Sequence, residues 1–229
     1  MAKVKTTPKF PKLISIIDSK GRPDIPYILG KMIADTFRVK VLLLDNSENL
    51  ELYRCMPKSD GIELKRDGSL YVMDRVDYSE EFFARFDCCI CYHGSVPTQI
   101  LWEKSDRRLA LTGYKPIDTE IVVHPYTDDP EVYGYDLKKD CVFFLDKVTG
   151  KVKAENILKK YKLWDTKEDL PIAYVELDFD ERDHQCLLSL LYNGCMDGKN
   201  TGKELYSAIT GLVSEYTGVP LAELRKVRR

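Results

Sequence analysis

Lys12 to Phe37, KLISIIDSKGRPDIPYILGKMIADTF, is the stretch whose reading decides the fold. Leu13, Ile14, Ile16 and Ile17 make a near-continuous apolar run of strand length, the pattern of a parallel strand covered on both faces. A turn carrying Gly21 follows, and Asp24 is placed to cap the next helix. In that helix Ile25, Ile28, Leu29, Met32, Ile33 and Phe37 recur at three- and four-residue spacing, the stripe that packs a helix onto a sheet. Strand, turn and helix in this order bring the helix N-terminus to the carboxyl edge of the sheet, where anions bind. Lys20 and Arg22 keep the turn cationic, so it reads either as a weak anion site or as a plain, solvated basic turn.

Outward from this unit, strands and helices alternate. Val39 to Asp45 is a second buried strand, with polar turn formers from Asn46 to Glu51 at its carboxyl end. LKRDGSLYVMD predicts a hairpin turning at Asp67 and Gly68, then a strand from Leu70 to Met73. Ser79 is placed to cap a short helix through Phe83, with Glu80 and Glu81 in its acidic first turn. Phe86 to Tyr92, Arg108 to Thr112, Cys141 to Leu145 and Ile172 to Leu177 are further strands. Helices are expected from Pro97 to Ser105, from Val152 to Tyr161 and from Lys203 to Tyr216, the last stopped by Gly218 and Pro220. Ile117 to Asp136 has no decisive period; its Val122, Val123, Tyr126, Val132, Tyr133 and Tyr135 fit a core better than a partner surface. No repeat or long linker interrupts the series. The expected fold class is therefore α/β, a three-layer doubly wound and mostly parallel sheet with helices on both faces. The expected division is a basic, solvated N-terminal arm (1–12), one α/β domain (13–218) and a basic C-terminal tail (219–229).

Composition narrows the function. A content of 44% hydrophobic and 31% charged residues is that of a globular protein, and 229 residues suit one sizeable core. The net charge of -2 gives no global reason to expect nucleic acid as a partner. The N-terminus lacks the apolar segment of a signal peptide and no run is long enough to span a bilayer, so a cytoplasmic protein is expected. Cys88 and Cys91 spell C-x-x-C, but strand residues three apart face opposite sides and cannot chelate together. The cluster of Asp178, Asp180, Glu181, Asp183 and His184 reads as helix-start solvation rather than a metal site, and no metal is expected. His93, after the third buried strand, reads as a solvated loop histidine or as an acid or base at the sheet edge. In the tail, Leu221, Leu224 and Val227 with Arg225, Lys226, Arg228 and Arg229 make a basic amphipathic end. It is too meagre to anchor to a membrane by itself and reads first as an ordinary helix end.

Ile14 to Ala34, followed by VKVLLLDNS from Val39 to Ser47, resembles the opening of the MinD/ParA family of deviant P-loop ATPases, whose pattern is strand, K-G-G-x-G-K-[ST], helix and a second strand ending in aspartate. Lys20 and Gly21 match the signature lysine and first glycine, and Asp45 matches the aspartate. Arg22 stands for the second glycine, Asp24 for the third, Ile25 for the phosphate-gripping lysine and Pro26 for the hydroxyl residue that holds magnesium. Phe86 to Tyr92 resembles the family's central strand, with Tyr92 in place of its last aspartate. Asp146 and Lys147 fall where an asparagine and a basic residue read the adenine. Pro23 and Pro26 lack the N–H groups that a phosphate cradle uses, and Asp24 repels an anion.

The resemblance implies a catalytically degenerate relative with no catalytic residues of its own. It would work as a localisation or assembly factor through protein partners, as a homodimer or with an active paralogue, in a partition, pilus, secretion or conjugation apparatus. Residual ATP or ADP binding or other anion binding would rest on Lys20, Gly21, Arg22 and Asp45. The alternatives are a nucleotide switch without turnover, or an enzyme acting on another anionic substrate through Lys20, Arg22, Asp45 and His93.

Overall fold

The computed structural model describes residues 6–56, 65–74, 78–128, 139–147, 152–161, 164–165, 170–193 and 200–227. Strands β1 (Leu13–Asp18), β2 (Val41–Asp45), β4 (Leu70–Asp74), β5 (Cys88–Gly94), β6 (Arg107–Thr112), β7 (Asp140–Lys147) and β10 (Ala173–Asp178) run parallel, and β3 (Lys65–Asp67) closes one edge antiparallel to β4. The order across the sheet is β10-β7-β6-β1-β5-β2-β4-β3. A separate pair, β8 (Trp164–Asp165) and β9 (Leu170–Pro171), lies outside it. After β1 the chain builds to one side, returns through β5 and then crosses to β6 on the other side. The carboxyl ends of β1, β5 and β6 therefore form a topological switch point, where open α/β sheets keep their crevice.

The helices among the described residues are α1 (Asp24–Phe37), α2 (Glu51–Cys55), α3 (Glu80–Phe83), α4 (Gln99–Lys104), α5 (Pro116–Asp128), α6 (Ala154–Lys160), α7 (Glu181–Asn193), α8 (Lys203–Thr217) and α9 (Leu221–Val227). Strand alternation sorts them onto two faces. Ile14, Ile16, Leu43, Ile90, Leu109 and Phe143 point to one face and pack with α1, α2, α7, α8 and α9. Ile17, Ala110, Val142 and Phe144 point to the other with α4, α5 and α6, and Leu42, Leu44, Cys89 and Cys91 join α3 and α4 there. The three-layer, doubly wound sheet is thus as the pattern predicts. Cys88 lies on the first face and Cys91 on the second, so the C-x-x-C pair is split by the strand. Burial pushes the Cys89 and Cys141 thiols up to about 12, leaving them as uncharged packing groups. Gly30 lets α1 approach the sheet: a Cβ there would lie 2.9 Å from Leu70 Cδ1.

Several boundaries differ from expectation. Pro23, not Asp24, occupies the N-cap position of α1, and no side chain caps the helix, because the Asp24 carboxylate turns to Arg22 instead. Helix α4 begins at Gln99 rather than Pro97, since Thr98 is extended and donates its N–H to His93. The hairpin turning at Gly68 forms as expected, and Tyr27 Oη and Lys31 Nζ fasten it to α1 through Asp67. The ambiguous stretch opens as α5, whose Val122 and Val123 are buried in the core; the side chain of Tyr126 and residues 132, 133 and 135 lie outside the described set.

The expected arm and tail are both tied to the domain. Lys9 N–H donates to the Thr217 carbonyl at 3.0 Å, Phe10 meets Phe37 edge-on, and Thr6 donates twice to Glu223. Residues from Thr6 onward are therefore packed rather than a solvated arm, because Phe10 and Pro11 bring apolar surface that α1 and α8 can cover. In α9, Leu224 is buried in the main core, so this apolar residue of the tail is spent on this chain. Among the described residues no helix is long and apolar enough to cross a membrane.

Candidate functional site

The alternation that places Ile14 and Ile16 on the α1 face also places Asp18 there, at the carboxyl end of β1. Tyr92 of β5 faces the same way, since Ile16 and Tyr92 are register partners. Its hydroxyl donates to Asp18 Oδ2 at 2.8 Å. The turn then wraps back onto the same carboxylate: Lys20 N–H donates to Oδ1 at 2.6 Å and Arg22 N–H to Oδ2 at 2.5 Å. Gly21, at φ +64°, supplies the left-handed step that this turn requires. Burial raises the Asp18 pKa against the opposing pull of these hydrogen bonds, and burial together with Asp18 raises that of Tyr92.

Arg22 does not face solvent. Its Nε and Nη2 form a bidentate pair with Asp24 at 2.9 and 2.7 Å, both residues buried. Burial works against the guanidinium charge, but Asp24, Asp146 and Asp183 overcome it and raise its pKa. Lys20 folds onto Asp118 at the start of α5, 3.5 Å away, and onto Asp146 at the end of β7, 3.7 Å away. Gly113 makes room for this, as a Cβ would lie 2.3 Å from Asp118 Oδ2. Ile25 and Pro26, where the resemblance would need a lysine and a hydroxyl, are buried in the first turn of α1.

Asp45 ends β2 fully buried and acts on its own chain. Oδ1 accepts from Ser47 N–H at 3.0 Å and Ser47 Oγ at 2.5 Å, and Oδ2 accepts from Tyr53 N–H at 2.8 Å, which organises the turn into α2. Of the residues singled out for anion binding, Lys20, Gly21 and Arg22 thus lie together around Asp18, while Asp45 belongs to the β2–α2 turn. Asp18 itself was not singled out. Its signal is a lone carboxylate ending an apolar strand two residues before a lysine-glycine pair.

The acidic cluster is divided among structural tasks. Asp180 binds Arg182, Asp183 accepts from Gly202 N–H at 2.6 Å, and His184 reaches Asp146 at 3.4 Å. Asp178 and Glu181 lie at the exposed end of β10 and start of α7. His93 is neither in a loop nor in the crevice. It lies within β5 on the opposite face, where Nδ1 accepts from Thr98 N–H at 3.1 Å and Nε2 lies 3.0 Å from Ser15 Oγ. The Thr98 donor fixes the Nε2–H tautomer.

Burial lowers the His93 pKa to about 3. The unfolded chain, with an ordinary histidine, then binds a proton between about pH 6.5 and pH 3 that the folded chain refuses. The stability contributed by neutral His93 is therefore present above pH 6.5 and falls by up to roughly 1.4 kcal/mol per pH unit on acidification. Urea midpoints taken from pH 7 to 4 should drop in the parent protein, and His93→Gln should flatten that dependence.

No family model and no curated protein matches the chain. Solved structures do. A ParA family ATPase from Chlorobium tepidum TLS superposes with a TM-score of 0.63 at 13% identity, covering 92% of this chain and 99% of its own. The ATP complex of McdA from Cyanothece gives 0.61 at 15%, covering 91% and 96%. The MinD cell division protein of Aquifex aeolicus gives 0.57 at 14%, covering 94% and 96%. Nearly the whole of each chain is matched, with the glycine-bearing loop at the carboxyl end of the central strand, and the chain therefore has the MinD/ParA-like fold of P-loop ATPases.

Proposed function

We propose that this chain is a MinD/ParA-fold protein that does not turn over ATP and acts through protein partners, as a localisation or assembly factor. The observation that carries the reading is the charge balance of the crevice. Both loop cations are already engaged by carboxylates of this chain, Lys20 by Asp118 and Asp146 and Arg22 by Asp24 and Asp146. Asp183 adds a further negative charge facing Arg22. A polyphosphate entering here meets like charge and no unpaired cation from the loop. Tyr92 bonded to Asp18, and Asp45 bonded to its own turn, leave neither carboxylate oriented toward a nucleotide-bound magnesium. A partner-directed role is supported by the structural neighbours, which include a plasmid partition protein of Borrelia burgdorferi and the MinC:MinD cell division complex of Aquifex aeolicus. A partition, pilus, secretion or conjugation apparatus is the kind of assembly it would serve.

Calorimetry with ATP and ADP, with and without Mg²⁺, together with phosphate release, tests the first half. No heat and no release are expected; turnover would overturn the reading, and binding without turnover would make the nucleotide a switching ligand instead. For the second half, a fluorescent fusion in the host cell should be distributed unevenly, and a uniform distribution unchanged by growth state would sink the localisation role.

A further inference from the structure

We propose that Asp18 is a built-in occupant of the phosphate loop, its carboxylate filling the position at which the loop's inward-facing amides would otherwise hold an external oxyanion. Three donors from two separate segments converge on this one buried group: Lys20 N–H at 2.6 Å, Arg22 N–H at 2.5 Å and Tyr92 Oη at 2.8 Å. Successive amides turned inward by a left-handed residue form an anion nest, and here Gly21 at φ +64° provides that turn. Two neighbouring positions give nothing to the cradle. Ser19 N–H goes to the Leu111 carbonyl at 3.0 Å, and Pro23 has none to offer. Tyr92 completes the arrangement: a phenol donates to the carboxylate where an aspartate on β5 would repel it.

The charge balance of the proposed function explains why a nucleotide is not attracted; the occupied nest explains why it would also find the Lys20 and Arg22 amides taken. The inference rests on that reading but makes a separate demand. The nest must be preformed, so removing the carboxylate opens it to an outside oxyanion.

Inorganic phosphate is the probe, titrated against chloride at matched ionic strength into the full chain, into Asp18→Ala and into Asp18→Ser. The parent Tm should not respond to phosphate. Asp18→Ala should melt lower and be stabilised saturably by phosphate, with a Kd by calorimetry at least tenfold tighter than any parent binding. Equal stabilisation of the parent, or a folded Asp18→Ala that ignores phosphate, overturns the inference. If Asp18→Ala does not fold, Asp18→Ser, which vacates most of the carboxylate's position while keeping a short polar side chain, decides by the same criterion. ATP turnover by the parent protein would instead overturn the proposed function, whichever way the phosphate titration runs.

Discussion

Asp24→Ala should lower the unfolding free energy by about 3 kcal/mol, because it removes the bidentate partner of an almost wholly buried guanidinium and leaves it the more distant Asp146 and Asp183. Urea denaturation at neutral pH, with an unchanged m-value, is the measurement. The loss is set less by the attraction within the pair than by the desolvated charge left behind. The double variant Arg22→Met with Asp24→Leu, which removes both charges, should therefore recover much of the loss. A double variant as unstable as the sum of its single changes would mean that the pair holds the loop by packing and not by charge. Lys20 provides the contrast. Its partners Asp118 and Asp146 are partly exposed with it, so Lys20→Ala should cost no more than about 1 kcal/mol.

Asp45→Ala is expected to cost about 2–3 kcal/mol, since it removes the acceptor of the buried Ser47 amide and hydroxyl and of the half-buried Tyr53 amide. Asp45→Asn keeps one acceptor oxygen and should cost clearly less. The same experiment separates two roles for this residue. If Asp45 serves only its own turn, the denaturation curve of the parent protein is the same with and without Mg²⁺. A stabilisation by Mg²⁺ that disappears in Asp45→Ala would make the carboxylate a cation ligand.

Much of the fold was legible because burial on both faces of a parallel sheet requires long apolar runs, and Leu13 to Ile17, Val41 to Leu44 and Cys141 to Leu145 are such runs. The 3.6-residue stripes of α1 and α8 were equally plain, and both bury the faces their stripes mark. The first half of the ambiguous stretch was not legible, for among the described side chains α5 buries Thr119, Val122 and Val123 while Ile117 stays exposed. The packed residues before β1 were hidden by composition. Their lysines suggest solvation, and it is Phe10 against Phe37, with the hydrogen bonds of Thr6 and Lys9 to Glu223 and Thr217, that ties them down.

At the site, side-chain type predicted proximity better than it predicted role. Lys20 and Arg22 were read as cations offered to a ligand, and each is satisfied by carboxylates from elsewhere in the chain. His93 was weighed for the crevice, but the residue parity of β5 turns it to the face opposite Tyr92 and buries it beside Ser15. A histidine directly before a glycine gives no sign of this until the register with β1 is known.

By itself, then, the sequence determined the alternation of elements, the parallel sheet and the place of the glycine-bearing loop, because hydrophobic period and turn chemistry are local properties of the chain. Only the tertiary structure decided what fills that loop. Asp18 and Tyr92 are 74 residues apart and meet only because β5 inserts beside β1 in one register, and Lys20 finds Asp118 and Asp146 only because β6 and β7 end at the same edge. Charge pairing between distant segments depends on which strands are neighbours, and no local pattern in the chain specifies that.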